Sequence, residues 1–332
     1  MRVLVTGVAG QDGTILSHTL SQEGAEIVGL VKPGHESADL DRLRRYAPQI
    51  QLIECELSDQ DALKDIVVDS QPDQIFNFGG ISSIVESINN PEITLAVNVG
   101  AVEAILAGMR ILKSQGKSPR LVAAASGTIF EGVDRSPQTE DTEISPSSPY
   151  AQSKAEVIKM LRAARATEGL FTTSAILYNH ESPLRGEGFV TRKISMAVAK
   201  IVAGQQDTIE LGNIEVARDW GWAPDYVNAM RLMLAHDTPQ DFVLATGISH
   251  RLSYFVQKAF LAAGFKDWQK RVVSTEVNQR KIDTNLLVGD SRSAYIELGW
   301  RHTIDFDSIA AAMVTFDQKL LADPGALWTD FR

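Results

Sequence analysis

The chain has little of what several classes of protein require. Among its 332 residues Cys55 is the only cysteine, which excludes an intrachain disulfide and a cysteine-based metal site. Lysine and arginine number 32 against 42 acidic residues, and the net charge of −10 argues against a general nucleic-acid or anionic-membrane binder. No apolar run has the length of a signal peptide or a membrane span. We therefore expect a soluble, cytoplasmic protein without nucleic-acid or membrane partners.

The chain does contain a regular alternation of short β-branched runs and longer helical patterns. Strands are predicted at 2–6, 26–31, 74–78, 120–125 and 172–178, and helices at 14–23, 61–70, 91–115 and 149–167. This alternation is typical of βαβ units, so we expect an α/β fold with a Rossmann-type, doubly wound parallel sheet. After residue 179 the pattern becomes irregular, with helices at 191–203 and 223–235 and a strand at 241–245.

A glycine-rich loop joins the first strand to the first helix. Gly7, Gly10 and Gly13 are spaced by three residues, and Gln11 and Asp12 lie between the last two glycines. Glycines at these places allow a tight turn and let the backbone approach a pyrophosphate at the start of a helix. The loop therefore predicts a dinucleotide site.

Residues at the ends of the next strands indicate which dinucleotide binds. Lys32 follows the second strand, where a carboxylate would indicate NAD, and a cation suits a 2′-phosphate. We therefore favour NADP over NAD, the alternative being that Lys32 is a solvated loop residue. Glu56 and Leu57 follow the third strand and are expected near the adenine. Gly79 and Gly80 end the fourth strand, where the backbone can approach the middle of the cofactor.

Three further residues predict alcohol or ketone chemistry. Tyr150 and Lys154 are four residues apart, which places them on one face of a helix. An ammonium beside a phenol favours the phenolate, so the pair suits proton transfer to or from an alcohol. Ser126 follows an apolar run and supplies a hydroxyl for the same substrate oxygen. In this order, after a dinucleotide loop, the three residues resemble the catalytic set of the extended short-chain dehydrogenase/reductase superfamily.

Two longer stretches narrow this resemblance. Y-N-H-E-S-P-L-R-G-E-G-F-V-T-R-K-I-S, residues 178–195, and L-G-N-I-E-V-A-R-D-W-G-W-A-P-D-Y-V, residues 211–227, are similar to the signature of GDP-mannose 4,6-dehydratases. The change of pattern after residue 179 divides the chain into a Rossmann domain at 1–178 plus 216–247 and a smaller, discontinuous C-terminal lobe at 179–215 plus 248–332, and the resemblance implies that this lobe binds a nucleotide sugar. It also implies a homodimer or homotetramer, paired through the helices at 91–115 and 149–167.

The same resemblance assigns roles to individual residues. His180 and Arg185 would contact the cofactor. The GDP-sugar would be held by Ser82, Thr128, Asn179, Val190, Lys193, Arg218 and Arg280. Arginine and lysine suit a pyrophosphate, although surface ion pairing is the alternative for Arg218 and Arg280. The chain has no spacing of ligand residues typical of a metal site, and we expect none.

The resemblance fails at one position that matters chemically. The dehydratases carry T-S-E-L-Y-G where this chain has S-G-T-I-F-E, so Thr128 replaces the glutamate that removes the C5 proton of the sugar. A threonine hydroxyl has far too high a pKa to act as that base. Glu131 is a candidate replacement, but its displacement by three residues is expected to point it elsewhere. Ile81 and Trp222 also depart from the family and are expected near the sugar pocket.

Three functions are therefore compatible with the sequence. The first is an NADP-dependent 4,6-dehydratase acting on a GDP-sugar. The second is a reductase of a GDP-4-keto-6-deoxy sugar, or a 4-epimerase, because these reactions need only hydride transfer at C4. The third is a non-catalytic NADP-binding protein, against which the intact Tyr150–Lys154 pair argues.

Overall fold

The computed structural model describes residues 1–35, 37–274 and 286–329. Its strands are β1 (Arg2–Thr6), β2 (Glu26–Val31), β3 (Gln51–Glu54), β4 (Gln74–Asn77), β5 (Arg120–Ala124), β6 (Phe171–Leu177), β7 (Asn179–Glu181), β8 (Ile209–Leu211), β9 (Ala217–Trp222), β10 (Phe242–Leu244), β11 (Ser249–Arg251) and β12 (Val272–Ser274). Its helices are α1 (Gln11–Gln22), α2 (Ser37–Tyr46), α3 (Gln60–Ser70), α4 (Ile84–Asn89), α5 (Pro91–Ser114), α6 (Pro149–Glu168), α7 (Val190–Val202), α8 (Ala223–Ala235), α9 (Leu252–Ala262), α10 (Arg292–Leu298) and α11 (Phe306–Ala322), with 3₁₀ helices at Gly127–Phe130 and Trp268–Arg271.

The main sheet has seven parallel strands in the order β10-β6-β5-β4-β1-β2-β3. Its central strands are almost continuously buried because helices cover both faces, as the unbroken β-branched runs predict. Strand order reverses between β1 and β4, and ligands of such folds bind at this switch point, beyond the carboxyl ends of the strands. The predicted Rossmann-type fold is confirmed.

The predicted elements differ from the observed ones mainly at their ends. Helix α1 begins at Gln11, three residues before the predicted start, because Gly10 caps it and its carbonyl oxygen accepts the N–H of Thr14 at 2.9 Å. Helices α2 and α4 were not predicted from the sequence. Helix α2 has a mean hydropathy well below zero, so its pattern resembles that of a polar loop.

One expectation about membrane spans is wrong. Helix α5 has 24 residues and contains a window of mean hydropathy 1.7, which satisfies the length and composition of a span. More than half of that window is buried, with Ile105, Met109 and Leu112 packed in one core cluster with Val67 of α3. A helix that is covered on several sides by the rest of the fold is apolar because those sides are buried. Composition alone therefore does not distinguish such a helix from a membrane-spanning one.

The remaining strands form two small sheets beside the main one, β11-β9-β7 and β12-β8. The predicted domain division stays a prediction; β9, assigned there to the Rossmann part, is hydrogen-bonded in the first small sheet. Trp222, at the end of β9, is 1% exposed and packs edge-on against Trp328, with ring centroids 5.2 Å apart. The ring of Trp222 is therefore part of the buried core, and its expected place near the sugar pocket stays a prediction.

Candidate active site

The glycine loop lies at the switch point of the sheet and is closely packed. Gly7 has a φ of +65°, and a Cβ there would lie 2.7 Å from the backbone nitrogen of Gly79. A Cβ on Gly13 would lie 2.5 Å from the carbonyl oxygen of Gly7, and the N–H of Gly10 donates to that oxygen at 3.0 Å. Only glycine fits these positions, so the loop backbone can face a pyrophosphate as the sequence predicts.

The two polar residues of the loop bind strand β7. Gln11 donates to the carbonyl oxygen of His180 at 3.1 Å and accepts the hydroxyl of Ser182 at 2.8 Å. The two ring nitrogens of His180 face acceptors, the Asp12 carboxylate at 3.0 Å and the Tyr178 carbonyl at 2.8 Å. Both nitrogens therefore carry protons, and His180 is an imidazolium paired with Asp12.

Electrostatics agrees with this protonation state. Burial alone lowers the pKa of His180, but the charge and hydrogen bond of Asp12 outweigh it and raise the pKa above its usual value. Burial likewise raises the pKa of Asp12, and the charge and hydrogen bond of His180, with a smaller effect of Arg185, bring it below its usual value. The pair joins the dinucleotide loop to strand β7. The His180 ring also stacks on the Tyr226 ring, with the two centroids 4.7 Å apart.

The other predicted cofactor residues line the same edge of the sheet. Lys32 is exposed directly after β2, and Glu56 is exposed beyond β3. Leu57 and Gly79 are in contact, since a Cβ on Gly79 would lie 2.6 Å from the Leu57 methyl group. Gly80 has a φ of +152°, an unusual conformation for residues other than glycine.

The structure adds two polar residues that the sequence did not single out. Arg42 of α2 donates to the carbonyl oxygen of Ala9 at 3.3 Å, which places a second cation beside the glycine loop. Buried Asn98 of α5 accepts the N–H of Ile81 at 2.8 Å and donates to its carbonyl at 3.0 Å, fixing the segment that follows Gly80. Asn98 also donates to Ser153 of α6 at 2.9 Å. The signal for Asn98 in the sequence is a single asparagine among the apolar residues of the predicted helix at 91–115.

The three predicted catalytic residues meet beyond the end of β5. Ser126 follows β5 and caps the 3₁₀ helix, while Tyr150 and Lys154 lie one turn apart near the start of α6. Buried Lys154 donates to the carbonyl oxygen of Ala124 at 2.8 Å, and its ammonium is 5.8 Å from the centroid of the Tyr150 ring. The ammonium therefore lies within the range of a cation–π interaction with the Tyr150 ring.

Burial sets the protonation of both side chains. Burial raises the pKa of Tyr150 above its usual value, against the hydrogen bond of Ser126 and the charge of Arg185, which favour the phenolate. Burial also lowers the pKa of Lys154 to about 8. Arg185 is thus the cation that lowers the tyrosine pKa, and its guanidinium lies 3.5 Å from the centroid of the Phe189 ring. This role of Arg185 toward Tyr150 was not predicted.

The position of the missing glutamate is occupied by a hydroxyl that contacts the catalytic serine. Thr128 Oγ1 donates to Ser126 Oγ at 3.0 Å. Glu131 accepts the hydroxyl of Ser147 at 2.6 Å, and its charge is near enough to raise the pKa of Tyr150. The hydrogen bond from Ser147 places Glu131 beside the start of α6, and the expectation that it does not replace the glutamate stays a prediction.

The predicted substrate residues are placed in and beside the second lobe. Asn179 is exposed on β7, beside the β9 strand that carries Arg218. Arg218 is half-buried and donates to the carbonyl oxygen of Ala217 at 2.8 Å. Val190 and Lys193 lie in the first turn of α7, where exposed Lys193 donates to the carbonyl of Glu210 at 2.9 Å. Ser82 is exposed beyond β4, and Arg280 lies outside the described residues.

Comparison with known proteins adds to this geometry. Residues 4–313 match the GDP-mannose 4,6 dehydratase family. GDP-mannose 4,6 dehydratase 1 of Arabidopsis thaliana is 35% identical over 338 residues, which cover 97% of this chain and 92% of that protein. The structure of UDP-glucose 4-epimerase from Thermotoga maritima is similar with a TM-score of 0.82 at 20% identity, over 97% of this chain and 100% of that one. RMD from Pseudomonas aeruginosa, complexed with NADPH, has a TM-score of 0.77 at 21% identity, over 96% and 97%.

The structural likenesses and the sheet order define a class of protein with a Rossmann-type fold, which this chain shares with these two structures. Within that class, the chain belongs to the GDP-mannose 4,6-dehydratase family. Both identifications made from the motifs are confirmed. Between 1 and 274, position 36 aside, and between 286 and 329, no group of three or more acidic, histidine or cysteine side chains is arranged to hold a metal ion.

Proposed function

We propose that the protein is an NADP-dependent enzyme that transfers a hydride at C4 of the hexose of a GDP-sugar. The observation that carries this proposal is the meeting of Ser126, Tyr150 and Lys154 beside a loop in which only glycine fits. Family membership supports a nucleotide-sugar substrate, and a relative of the same fold is complexed with NADPH. Lys32 and Arg42 would face a 2′-phosphate, which supports NADP over NAD.

In this proposal each residue has a distinct task. A dinucleotide whose pyrophosphate is held at the glycine loop would supply the hydride donor or acceptor. Tyr150 takes the proton from the C4 hydroxyl in oxidation and returns it in reduction. Ser126 would donate a hydrogen bond to the same substrate oxygen. The charge of Arg185 lowers the pKa of Tyr150, and the ammonium of Lys154, 5.8 Å from the centroid of the Tyr150 ring, would favour the phenolate as well. Asn179, Lys193 and Arg218 would bind the diphosphate of the substrate.

Thr128 favours a reaction that ends with hydride transfer. Its hydroxyl is bound to Ser126 and has no acid–base capacity near neutral pH, so removal of the C5 proton has no base at this position. We therefore favour reduction of a 4-keto-6-deoxy sugar nucleotide, or epimerisation at C4. General-base catalysis typically contributes about 10² to 10⁴ in rate, so dehydration without a base would be slow.

Complete 4,6-dehydration is the second candidate, and the position of Glu131 favours it. Its carboxylate faces Tyr150 closely enough to change the pKa of that residue, and Ser147 holds it in place. Under this candidate Glu131 takes the C5 proton while the C6 hydroxyl leaves as water. The Glu131→Gln variant would then lose dehydration and keep hydride transfer.

The test uses two incubations of the purified protein followed by mass spectrometry. Loss of one water from GDP-mannose in the presence of NADP would support dehydration. It would contradict a reaction that ends with hydride transfer at C4. Turnover of a GDP-4-keto-6-deoxy sugar with NADPH, without water loss from GDP-mannose, supports the favoured reaction. A new GDP-hexose of unchanged mass, separated by chromatography, would support epimerisation at C4, whereas no new product from either substrate would support the non-catalytic alternative.

The Tyr150→Phe variant tests the assignment of the acid–base group. We expect it to fold normally and to lose about 10² to 10⁴ in kcat, because only the phenol oxygen is removed. Tyr295→Phe, at an exposed tyrosine of α10, is the matched control and should retain full activity. Full activity of Tyr150→Phe would overturn the proposed mechanism.

We also propose a homodimer or homotetramer formed through α5 and α6. Exposed apolar side chains at α4 and the start of α5 support a covered surface there; they are Val85, Ile88, Ile93 and Leu95. Light scattering coupled to gel filtration measures the assembly, and a monomer at all concentrations would contradict it. The cytoplasmic location stays a prediction.

A further inference from the structure

The first turn of α6 carries Tyr150 and needs hydrogen-bond acceptors from outside the helix. The first N–H groups of a helix have no carbonyl partner within it. Pro149 has no N–H, and Ala151 donates to the hydroxyl of the capping residue, Ser148, at 3.2 Å. The N–H of Tyr150 lies between these two positions, and its acceptor is on a different helix.

This acceptor is Ser87 of α4. The N–H of Tyr150 donates to Ser87 Oγ at 3.2 Å. Ser87 is fully buried, and its hydroxyl donates to the carbonyl oxygen of Ile84 at 2.7 Å. A backbone N–H can only donate and a carbonyl oxygen can only accept, so the direction of both bonds is fixed. Because the single proton of Ser87 Oγ is used by Ile84, its lone pairs face the N–H of Tyr150.

The carbonyl group of Tyr150 is fixed by a second series of hydrogen bonds. Ser153 Oγ, also buried, donates to the carbonyl oxygen of Tyr150 at 2.7 Å and accepts the side-chain N–H of Asn98 at 2.9 Å. The same amide group of Asn98 binds the N–H and the carbonyl oxygen of Ile81. Both backbone groups of Tyr150 are therefore connected to the segment 81–87, which follows β4.

We propose that Ser87 is a positioning residue that holds the backbone of Tyr150 at the start of α6, and with it the phenol that exchanges a proton with the substrate. This inference rests on the proposed hydride transfer at C4 for its effect on turnover, but on the hydrogen bonds alone for its effect on the Tyr150 backbone. A shift of the first turn of α6 moves the phenol oxygen, and a misplacement of about 1 Å can cost about 10²-fold in rate.

Hydrogen exchange at the Tyr150 amide tests the contact itself. The chain has six tyrosines, so labelling tyrosine with an NMR-active nitrogen isotope gives six backbone amide signals, and the Tyr150→Phe variant identifies the one from Tyr150. In Ser87→Ala we expect this amide to exchange about tenfold faster, because its acceptor is gone. Ser87→Thr keeps the hydroxyl and should exchange like the wild type. The other five tyrosine amides are the internal standard and should keep their rates.

Steady-state kinetics test the consequence for the reaction. In Ser87→Ala, kcat should fall about tenfold while KM for the sugar nucleotide changes less than about threefold, because the groups proposed to bind its diphosphate lie on β7, α7 and β9. Ser87→Cys has nearly the same size but is a weak acceptor, and should behave like Ser87→Ala. Ser87→Thr should retain the wild-type kcat.

Ser17→Ala is the matched control for the loss of a buried hydroxyl. Ser17 of α1 is as buried as Ser87, and its hydroxyl has no hydrogen-bond partner among the residues that the structure describes. Its replacement should leave kcat, KM and the exchange of the Tyr150 amide unchanged.

The outcomes separate this inference from the proposed function. Unchanged exchange of the Tyr150 amide in Ser87→Ala, or a wild-type kcat in both Ser87→Ala and Ser87→Cys, would overturn the role of Ser87. Faster exchange at Tyr150 in a protein that turns over no sugar nucleotide would support Ser87 as the residue that holds this backbone, and would contradict the proposed function.

Discussion

At the glycine-loop end of the site two charged groups pair with each other, whereas at the β5 end hydroxyl groups lie together with the buried ammonium of Lys154. Asp12 and His180 form an ion pair, and the other ring nitrogen of His180 donates to the carbonyl oxygen of Tyr178. At the β5 end the hydroxyl of Thr128 donates to Ser126 at 3.0 Å, and Ser126 counters the rise in the pKa of Tyr150 that burial causes. The first arrangement suits a fixed scaffold for a cofactor, and the second suits a reaction in which a proton moves.

This difference predicts where substitutions cost stability and where they cost activity. A buried charge without its partner is strongly destabilising, while a lost hydroxyl at a half-exposed site costs little stability. Changes at the loop should therefore be measured first by unfolding, and changes at the β5 end first by kinetics.

The largest expected stability effect follows from Asp12→Asn. It leaves the imidazolium of His180 buried without a counter-charge, and we expect a loss of about 3 kcal/mol in the free energy of unfolding at pH 6. Urea denaturation measures it. Asp61→Asn is the matched control, since Asp61 is also in the first turn of a helix and pairs with Lys64, but its side chain is 93% exposed. The control should change stability by less than about 1 kcal/mol.

The pH dependence of that loss is part of the same test. The raised pKa of His180 contributes stability that is complete below its unfolded value of about 6.5 and is lost as pH rises through the folded value. The lowered pKa of Asp12 contributes stability above about 3.8 that is lost as pH falls through its folded value. The cost of Asp12→Asn should thus be greatest between these limits and shrink on either side; a cost independent of pH would contradict the ion pair.

The two ends of the site also differ in how much of each could be predicted from the sequence. The glycine loop was predictable because a backbone constraint appears directly as residue type, and the Tyr150–Lys154 pair because both lie on one helix. The Asp12–His180 pair joins residues 168 positions apart, and only packing of the two lobes brings them together. The contact between Trp222 and Trp328 is not predictable for the same reason, since the two residues are far apart in the chain.

The β5 end shows a different limit. The sequence predicts that Thr128 cannot replace a glutamate, and this is a property of the residue type. It does not predict the direction of the hydrogen bonds that the hydroxyl makes, or the position of Glu131 beside the start of α6. Both depend on the single 3₁₀ turn between Gly127 and Phe130, a local conformation too short to leave a periodic pattern.

A smaller stability effect is expected from Gly13→Ala. The added methyl group would lie within 2.6 Å of Gly7 and Val8 backbone atoms, which have no room to retreat. We expect a loss of about 2 kcal/mol and weaker binding of NADP in calorimetry. Gly188→Ala is the matched control, because a Cβ there meets nothing within 4 Å. Unchanged NADP affinity in Gly13→Ala would contradict the assignment of the loop.

The smallest effect, and one of opposite sign, is expected from Lys154→Met. A pKa lowered from 10.5 to about 8 means that burying the ammonium costs about 3 kcal/mol at neutral pH, at 1.4 kcal/mol for each unit. Methionine removes this cost but also the hydrogen bond to Ala124, worth about 2 kcal/mol, so the net gain should be about 1 kcal/mol. Lys159→Met, at an exposed position of α6, should change stability by less than about 0.5 kcal/mol.

The way in which this gain in stability changes with pH identifies its cause. Below pH 8 Lys154 is charged in both the folded and the unfolded chain, so the full cost of burial is present. Between about 8 and 10.5 the folded chain loses the proton first, stability of the wild type rises, and the advantage of methionine shrinks. Activity should be lost at every pH, because methionine offers no charge to the phenolate. A Lys154→Met protein that is more stable but inactive would show that the Lys154 ammonium serves the reaction and lowers the stability of the fold. At the glycine-loop end, by contrast, the paired charges stabilise the fold.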